Sequence, residues 1–539
     1  GLPIYASKAV QVRLNGLNHA APENARLAHP FEHHFGIYVH NQPIIGDYAS
    51  EHYPLDPGGN LYRKTGTGTS WDHFPDSSDP GRDYRRAGWS KENNKAANDW
   101  SDLHRFMRVM TTSPGQLSQV ESVMDLDSWL RNLAVSTILT NSEHSIFTGR
   151  NDKYALYGGS DGRFKLIAHD LDTILGSGGE SSIGMKRLPF TILDFVERGE
   201  SFSQLEELFR RPEVLQRYYQ TLSDLLTGPF AQDRAELLID ETLTWTPPSI
   251  AESAKQFLAA RRTNILSMIN RPLQAATALN PVGGLPTTND GSADLTGTWN
   301  ITRAVAVSVN GSPATLDHAT GSWHYSLSGL HPGINRLVIE EWDAQERLTA
   351  KTHLDIHHES GGGSMVSGNV SSDTTLAAAD GPWYVTSPLN VLPGVTLSIE
   401  PGTSLFFTPA GGITVQPGGV LLCAGTRYDR IRLGRIPGSN DNWQGISIEA
   451  PTGQDSDAGN EISFTDFDAG DAQGECIALR RSRLLLDQVT WSNSSDTVLE
   501  LYRPKLEIRD CSFPSIPTSR AIQGNTLRND DFLLIHRNS

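Results

Sequence analysis

Tyr154-Ala-Leu-Tyr-Gly-Gly-Ser-Asp-Gly-Arg-Phe-Lys-Leu-Ile-Ala-His-Asp-Leu-Asp172 decides how the first half of the chain is read. Two apolar runs, 154–157 and 164–168, flank Gly158-Gly-Ser-Asp-Gly162. A Gly/Ser/Asp cluster between such runs signals a hairpin turn. In an antiparallel hairpin, positions whose numbers have nearly equal sums lie opposite each other. Asp152 and Asp170 sum to 322, and Tyr157 and Phe164 to 321, so both carboxylates are expected at the open end. Asp172 adds a third carboxylate two residues on. Three such groups repel one another unless a cation neutralises them. Hard oxygen ligands suit Mg2+, which keeps some waters and binds substrate phosphates. The same residues also read as an Asp-rich turn in which Asp170 or Asp172 caps the next segment.

Working outward, residues 1–63 read as strands and turns, with strands at 9–14, 35–40 and 60–63. Residues 64–98 are polar and read as one long loop, which in a compact domain is usually functional or mobile. Leu103, Phe106, Met107 and Met110 recur at helical spacing, and Asp125 is placed to cap a helix through Trp129 and Leu133. From 203 to 270 the pattern is helical again, marked by Leu205, Leu208, Leu215, Leu222, Leu237, Leu238, Leu258 and Ile265. Strands followed by helices around one hairpin make 1–275 an α+β domain.

The second half changes character. Asn280-Pro-Val-Gly-Gly284 lies within a stretch read as a linker, 276–295, and 296–360 alternates in strand fashion. That region resembles small Ig-like sandwich modules. Gly361-Gly-Gly-Ser364 marks a second linker, 361–372. Pro393-Gly, Pro401-Gly and Pro417-Gly each precede a short strand, and similar strands recur to residue 510. Short strands on coils of about 20 residues indicate a right-handed parallel β-helix over 373–520 rather than a β-sandwich. A polar tail, 521–539, follows.

Composition excludes some functions. The formal charge is −17, which disfavours nucleic acid because phosphate contacts need clustered Lys and Arg. No apolar run approaches the roughly 18–20 residues needed to span a bilayer. The three cysteines, Cys423, Cys476 and Cys511, include no CxxC pair. The chain opens on Gly1 without a basic or apolar leader, so it reads as starting inside a domain. Gly66-Thr-Gly-Thr lacks the Gly-Lys-Ser/Thr of a P-loop. His33-His34 and His357-His358 read as solvated loop, because adjacent histidines converge poorly on one ion. Asp455, Asp457, Asp466 and Asp468 read as solvated turn residues before calcium ligands.

Several motifs in order resemble the CotH family of atypical, bacterial, kinase-like proteins. They are Gly36-Ile-Tyr-Val, Gly59-Asn-Leu-Tyr-Arg63, Asn98-Asp-Trp-Ser-Asp-Leu103, the helix from Asp125, and the hairpin ending in His169-Asp-Leu-Asp172. The resemblance implies a secreted or cell-surface protein Ser/Thr kinase using ATP and Mg2+. It implies that Asp170 binds the metal and Asp172 is a second ligand or orienter. Arg63 and Asp152 would then serve the nucleotide and Glu143 would act as base. Four positions depart from the family pattern: Gln42 stands for Glu, Arg63 for Lys, Glu143 for Asp and Lys153 for Asn. The architecture expected is therefore multidomain: an α+β kinase-like domain, a small β-sandwich and a right-handed parallel β-helix. The β-helix is expected to present the kinase domain or to engage a surface polysaccharide or protein. Two rival functions are a non-catalytic surface protein and a carbohydrate-binding β-helix protein.

Overall fold

The structure is a computed structural model. It describes residues 7–11, 13–14, 17–18, 37–65, 71, 73–141, 146, 154–168, 171, 173–175, 203–244, 248–318, 320–494, 496–515, 520–525 and 531–537. The chain divides into two compact units. One comprises 1–271 with 300–303 and 318–321, and the other takes the remaining residues from 272 onward.

In the first unit, β1 (Ser7–Gln11) pairs antiparallel with β2 (Ile37–Asn41). Then follow α1 (Gly46–His52), β3 (Asn60–Lys64), α2 (Pro80–Arg86) and β4 (Trp89–Lys91). Helices α3 (Ser101–Thr112), α4 (Leu117–Glu121) and α5 (Leu126–Leu139) precede the hairpin of β5 (Tyr154–Gly158) and β6 (Phe164–Ala168). Four helices close the unit: α6 (Ser203–Phe209), α7 (Pro212–Thr227), α8 (Gln232–Thr242) and α9 (Pro248–Ile269).

The sheet runs β4-β3-β5-β6, antiparallel throughout. Hairpin register extends from Gly158↔Phe164 to Tyr154↔Ala168, and each pair sums to 322, as do Asp152 and Asp170. Leu61, Ala155, Tyr157 and Ile167 share one face and pack with Ile44, Tyr48 and Ala49 of the α1 region. Strand β6 is the sheet edge, whose outward carbonyls require donors. Helix α5 supplies them. Asp125 N and Trp129 Nε1 donate to the Phe164 carbonyl at 3.0 and 2.8 Å, and Asn132 Nδ2 to that of Leu166 at 3.2 Å. Asp125 also caps α5, as its position predicts, accepting from Ser128 N at 3.2 Å.

Two readings of this unit change. The stretch 64–98 holds α2 and β4 as well as loop. Asp79 caps α2 by accepting from Arg82 N at 3.0 Å, with Pro80 at the first helical position. That is a start signal which the polar composition obscured. Leu237 and Leu238 are each 60% exposed, and Ala235 and Ile239 turn inward in their place.

The second unit begins with strands where a linker was expected. Gln274–Thr277, Leu285–Thr288 and Ser292–Thr298 all join sheets. Gly283 and Gly284, both at positive φ, form the two-residue turn between Pro281–Val282 and Leu285–Thr288. A Gly-Gly pair serves a hairpin as readily as a linker. The region forms a six-stranded and a four-stranded sheet, burying Leu295, Trp323, Val307, Ile339 and Leu337.

From Ser364–Val370 onward the strands pair in parallel as a β-solenoid of about seven turns. The stretch 361–372 thus contributes a strand, paired with Trp383–Val391. The tail likewise contributes Ile522–Asn525 and Phe532–His536. One row stacks Leu376, Ile399, Cys423, Ile462, Leu486, Ile508 and Ile535 in register. Beside it, Phe407, Trp443, Phe467, Trp491 and Phe513 stack ring on ring at 4.0, 6.3, 5.6 and 4.8 Å. All three cysteines are buried free thiols.

Candidate functional site

The hairpin and α5 together place the segment that follows the acidic motif. Helix α5 ends at Thr140, which adopts left-handed φ 53° and ψ 50°. This is a conformation that a β-branched residue takes only under constraint. The turn aims Asn141 back over the helix end, with Asn141 N donating to the Ser136 carbonyl at 2.9 Å. Two bonds then tie the far side of the motif to this corner. Leu175 N donates to the Leu139 carbonyl at 2.9 Å, and Thr173 Oγ1 donates to Asn141 Oδ1 at 3.3 Å. Among the described residues, Thr140 Oγ1 has no hydrogen-bond partner, although it is buried there.

Beneath the corner lies a buried polar group drawn from three helices. Tyr218 of α7 shares a hydrogen bond with Thr137 Oγ1 at 2.6 Å. Arg261 of α9 is 0% exposed, and its Nε and Nη2 both donate to the Thr137 carbonyl, at 3.2 and 2.9 Å. Burial lowers the Arg261 guanidinium to about 10 and raises the Tyr218 phenol. A charge so deep is costly unless its surroundings are arranged for it.

Asp170, Asp172, Glu143 and Asp152 lie outside the described residues, as do Lys153, His33-His34 and Gly66-Thr-Gly-Thr. Of the site residues expected from sequence, Arg63 is described. It leaves β3 on the face that holds Leu61, its side chain is 44% exposed, and its Nε stands 3.8 Å from Glu92. Gln42 donates to Glu51 at 2.7 Å and shares a 3.0 Å hydrogen bond with His52, so its amide is engaged with α1.

Two buried lysines, not singled out by any sequence pattern, stand on the opposite face. Lys64 Nζ donates to the Ala87 carbonyl and sits over the Trp89 ring. Lys91 Nζ donates to the Asp99 carbonyl and to Tyr62 Oη at 3.3 Å. Tyr62 in turn donates to Asp102 at 2.6 Å, and Asn60 Nδ2 donates to the other Asp102 oxygen at 2.8 Å. Burial pushes the Lys91 ammonium below its ordinary value, against the attraction of Asp102 and Asp99. The signal was present as Asp99-Trp-Ser-Asp102, but nothing in the spacing paired it with Tyr62 and Lys91.

The described residues contain no group of three or more His, Cys, Asp or Glu able to hold a metal. The four solenoid aspartates are all ion-paired: Asp455 with Arg503, Asp457 with Lys505, Asp466 with Arg336 and Arg430, and Asp468 with Arg435. They are ion-pair partners and not the solvated turn residues expected: Asp466 and Asp468 lie on the strand Thr465–Asp468, with side chains 3% and 13% exposed. His357 and His358 lie on a paired strand and not in the solvated loop expected, with neighbours pointing to opposite faces and His358 Nδ1 3.0 Å from the Leu330 carbonyl. No helix among the described residues is long and apolar enough to cross a membrane.

These features define a modular protein: a mixed helix-and-sheet domain with an acidic motif beyond its edge strand, small sheets, and a parallel β-solenoid. Residues 1–262 match the family model described as CotH kinase protein, so the chain carries a CotH-family domain. A curated relative, Protein bark beetle of Drosophila melanogaster, is 33% identical over 88 residues. That match covers 16% of this chain and 3% of the relative. Among solved structures, the family 28 exopolygalacturonase of Yersinia enterocolitica aligns over 50% of this chain and 83% of its own. With 9% identity and a TM-score of 0.12, that likeness bears on neither fold nor activity.

Proposed function

We propose that the CotH-family domain transfers phosphate from ATP to a protein hydroxyl with Mg2+. The supporting observation is the tie of Thr173 and Leu175 to the end of α5, on a domain whose family is that of the CotH kinases. The donor chemistry fits the metal: Asp170 and Asp172 offer hard carboxylate oxygens, and a Thr140 hydroxyl with no partner among the described residues lies at the corner where Thr173 and Leu175 dock. Asp170 would hold Mg2+ and Asp172 would support it, while Arg63 and Asp152 would serve the nucleotide and Glu143 would receive the acceptor proton. The metal would neutralise charge on the transferred group, and the protein would contribute mainly positioning and electrostatics. The protein would act outside the cell or on its surface, the Ig-like region being a spacer and the solenoid a partner-binding element.

A second reading, nucleotide binding without transfer, is favoured by Gln42. Its amide is engaged with Glu51 and His52 and carries no charge with which to orient a basic residue. Titration with Mn2+ and a fluorescent ATP analogue tests the shared premise. Asp170→Ala is expected to weaken metal-dependent binding tenfold or more, in line with the loss of a direct ligand. Binding of equal strength in both proteins, or binding indifferent to metal, contradicts both readings.

A further inference from the structure

We propose that Arg261 is a positioning residue for the acidic motif, acting through the last turn of α5; this rests on the metal-site reading above. The chain of contacts is short. Arg261 grips the Thr137 carbonyl through two donors. Thr137 and Ser136 carbonyls accept from Thr140 N and Asn141 N, setting the left-handed turn. Asn141 Oδ1 and the Leu139 carbonyl then receive Thr173 Oγ1 and Leu175 N. Those two residues flank Asp172 at one and three positions, so displacing the turn displaces the start of the chain that leads back to both aspartates.

Chemistry also favours this role over simple packing. An arginine whose only task is to fill space under a helix end is better replaced by a methionine, because burying the charge is costly. A guanidinium here instead supplies a fixed fork of donors, and its charge lies beneath the corner at which the residues after an acidic motif dock. Groups that orient ligands from behind typically change metal affinity 10–100-fold when altered. Lysine keeps the charge but presents one nitrogen, so it cannot reproduce the double grip on Thr137.

The test uses the full chain, with Mn2+ alone as probe and binding followed by electron paramagnetic resonance. Arg261→Lys, folded by circular dichroism, is expected to bind Mn2+ about tenfold more weakly. Thr173→Val, which removes the far end of the same chain of contacts and preserves shape, is expected to weaken binding in the same direction. Unaltered affinity in folded Arg261→Lys overturns the positioning role. Should Arg261→Lys fail to fold, Thr173→Val decides, and unaltered affinity there overturns it. Absence of Mn2+ binding in the unsubstituted chain overturns both this inference and the metal-site reading.

Discussion

Replacing Asp466 with Asn is expected to destabilise the second unit by about 3–5 kcal/mol, the usual cost of removing one partner from a buried ion pair. Asp466 has a side chain only 3% exposed and receives Arg336 at 2.9 Å, Arg430 at 2.8 Å and the Thr490 hydroxyl at 2.5 Å. Arg336 also holds Asp355 through two 2.8 Å bonds. Strands Gly333–Trp342 and Leu348–His358 thereby join solenoid strands Ile431–Arg435 and Thr465–Asp468 in one network, in which Arg432 approaches Asp355 at 3.9 Å and Asp468 at 3.8 Å. Asparagine would leave two guanidiniums facing a neutral amide. Scanning calorimetry should show the transition of this unit moving down while that of residues 1–271 stays.

The same network predicts a pH dependence. Burial pushes the Asp466 carboxyl up, but Arg336 and Arg430 overcome this and hold it below the ordinary carboxylate value; Asp355 behaves alike beside Arg336. A carboxylate depressed in the folded state stabilises above its unfolded pKa, and that contribution fades as pH falls through the folded value. Stability of the unit should therefore be flat near neutrality and decline below about pH 4. Asp466→Asn should decline less steeply.

The second large effect is expected at Trp443. Its ring is fully buried, stacked on Phe407 at 4.0 Å and 9°, with Phe467 next in the column at 6.3 Å and 11°. The indole Nε1 donates to the Asp468 carbonyl at 3.0 Å. Trp443→Ala opens a cavity in the middle of the column and should cost about 3–5 kcal/mol. Trp443→Phe keeps a ring in the stack and loses chiefly the hydrogen bond, so about 1–2 kcal/mol is expected. Near-equal losses for the two variants in urea unfolding would mean that the stack contributes little beyond that single bond.

How legible these features were varied with the physics behind them. The hairpin was readable because its turn is local and its register follows from counting; Tyr154↔Ala168 carries the sum expected for Asp152 and Asp170. The solenoid was readable because Pro-Gly turns precede short strands that recur along the chain. The strands at 274–298 were not, because Gly283-Gly284 has the same composition as a flexible joint. Leu237 and Leu238 were assigned inward because a helix pattern gives a face but not what covers it. Arg261, fully buried, was invisible because an arginine on a helix ordinarily reads as solvent-facing. Lys91 and Asp102 stand on separate elements, and only the fold brings them to Tyr62.

Phosphate transfer through the acidic motif is the activity proposed for the CotH-family domain. The direct measurement is incorporation of label from γ-labelled ATP into the chain itself or an added protein acceptor, with Mg2+ or Mn2+, for the unsubstituted chain and Asp170→Ala in parallel. Metal-dependent label is expected in the first and at least a hundredfold less in the second, a loss of about 2.7 kcal/mol or more in transition-state stabilisation. Equal label in both, or none in either, would contradict it.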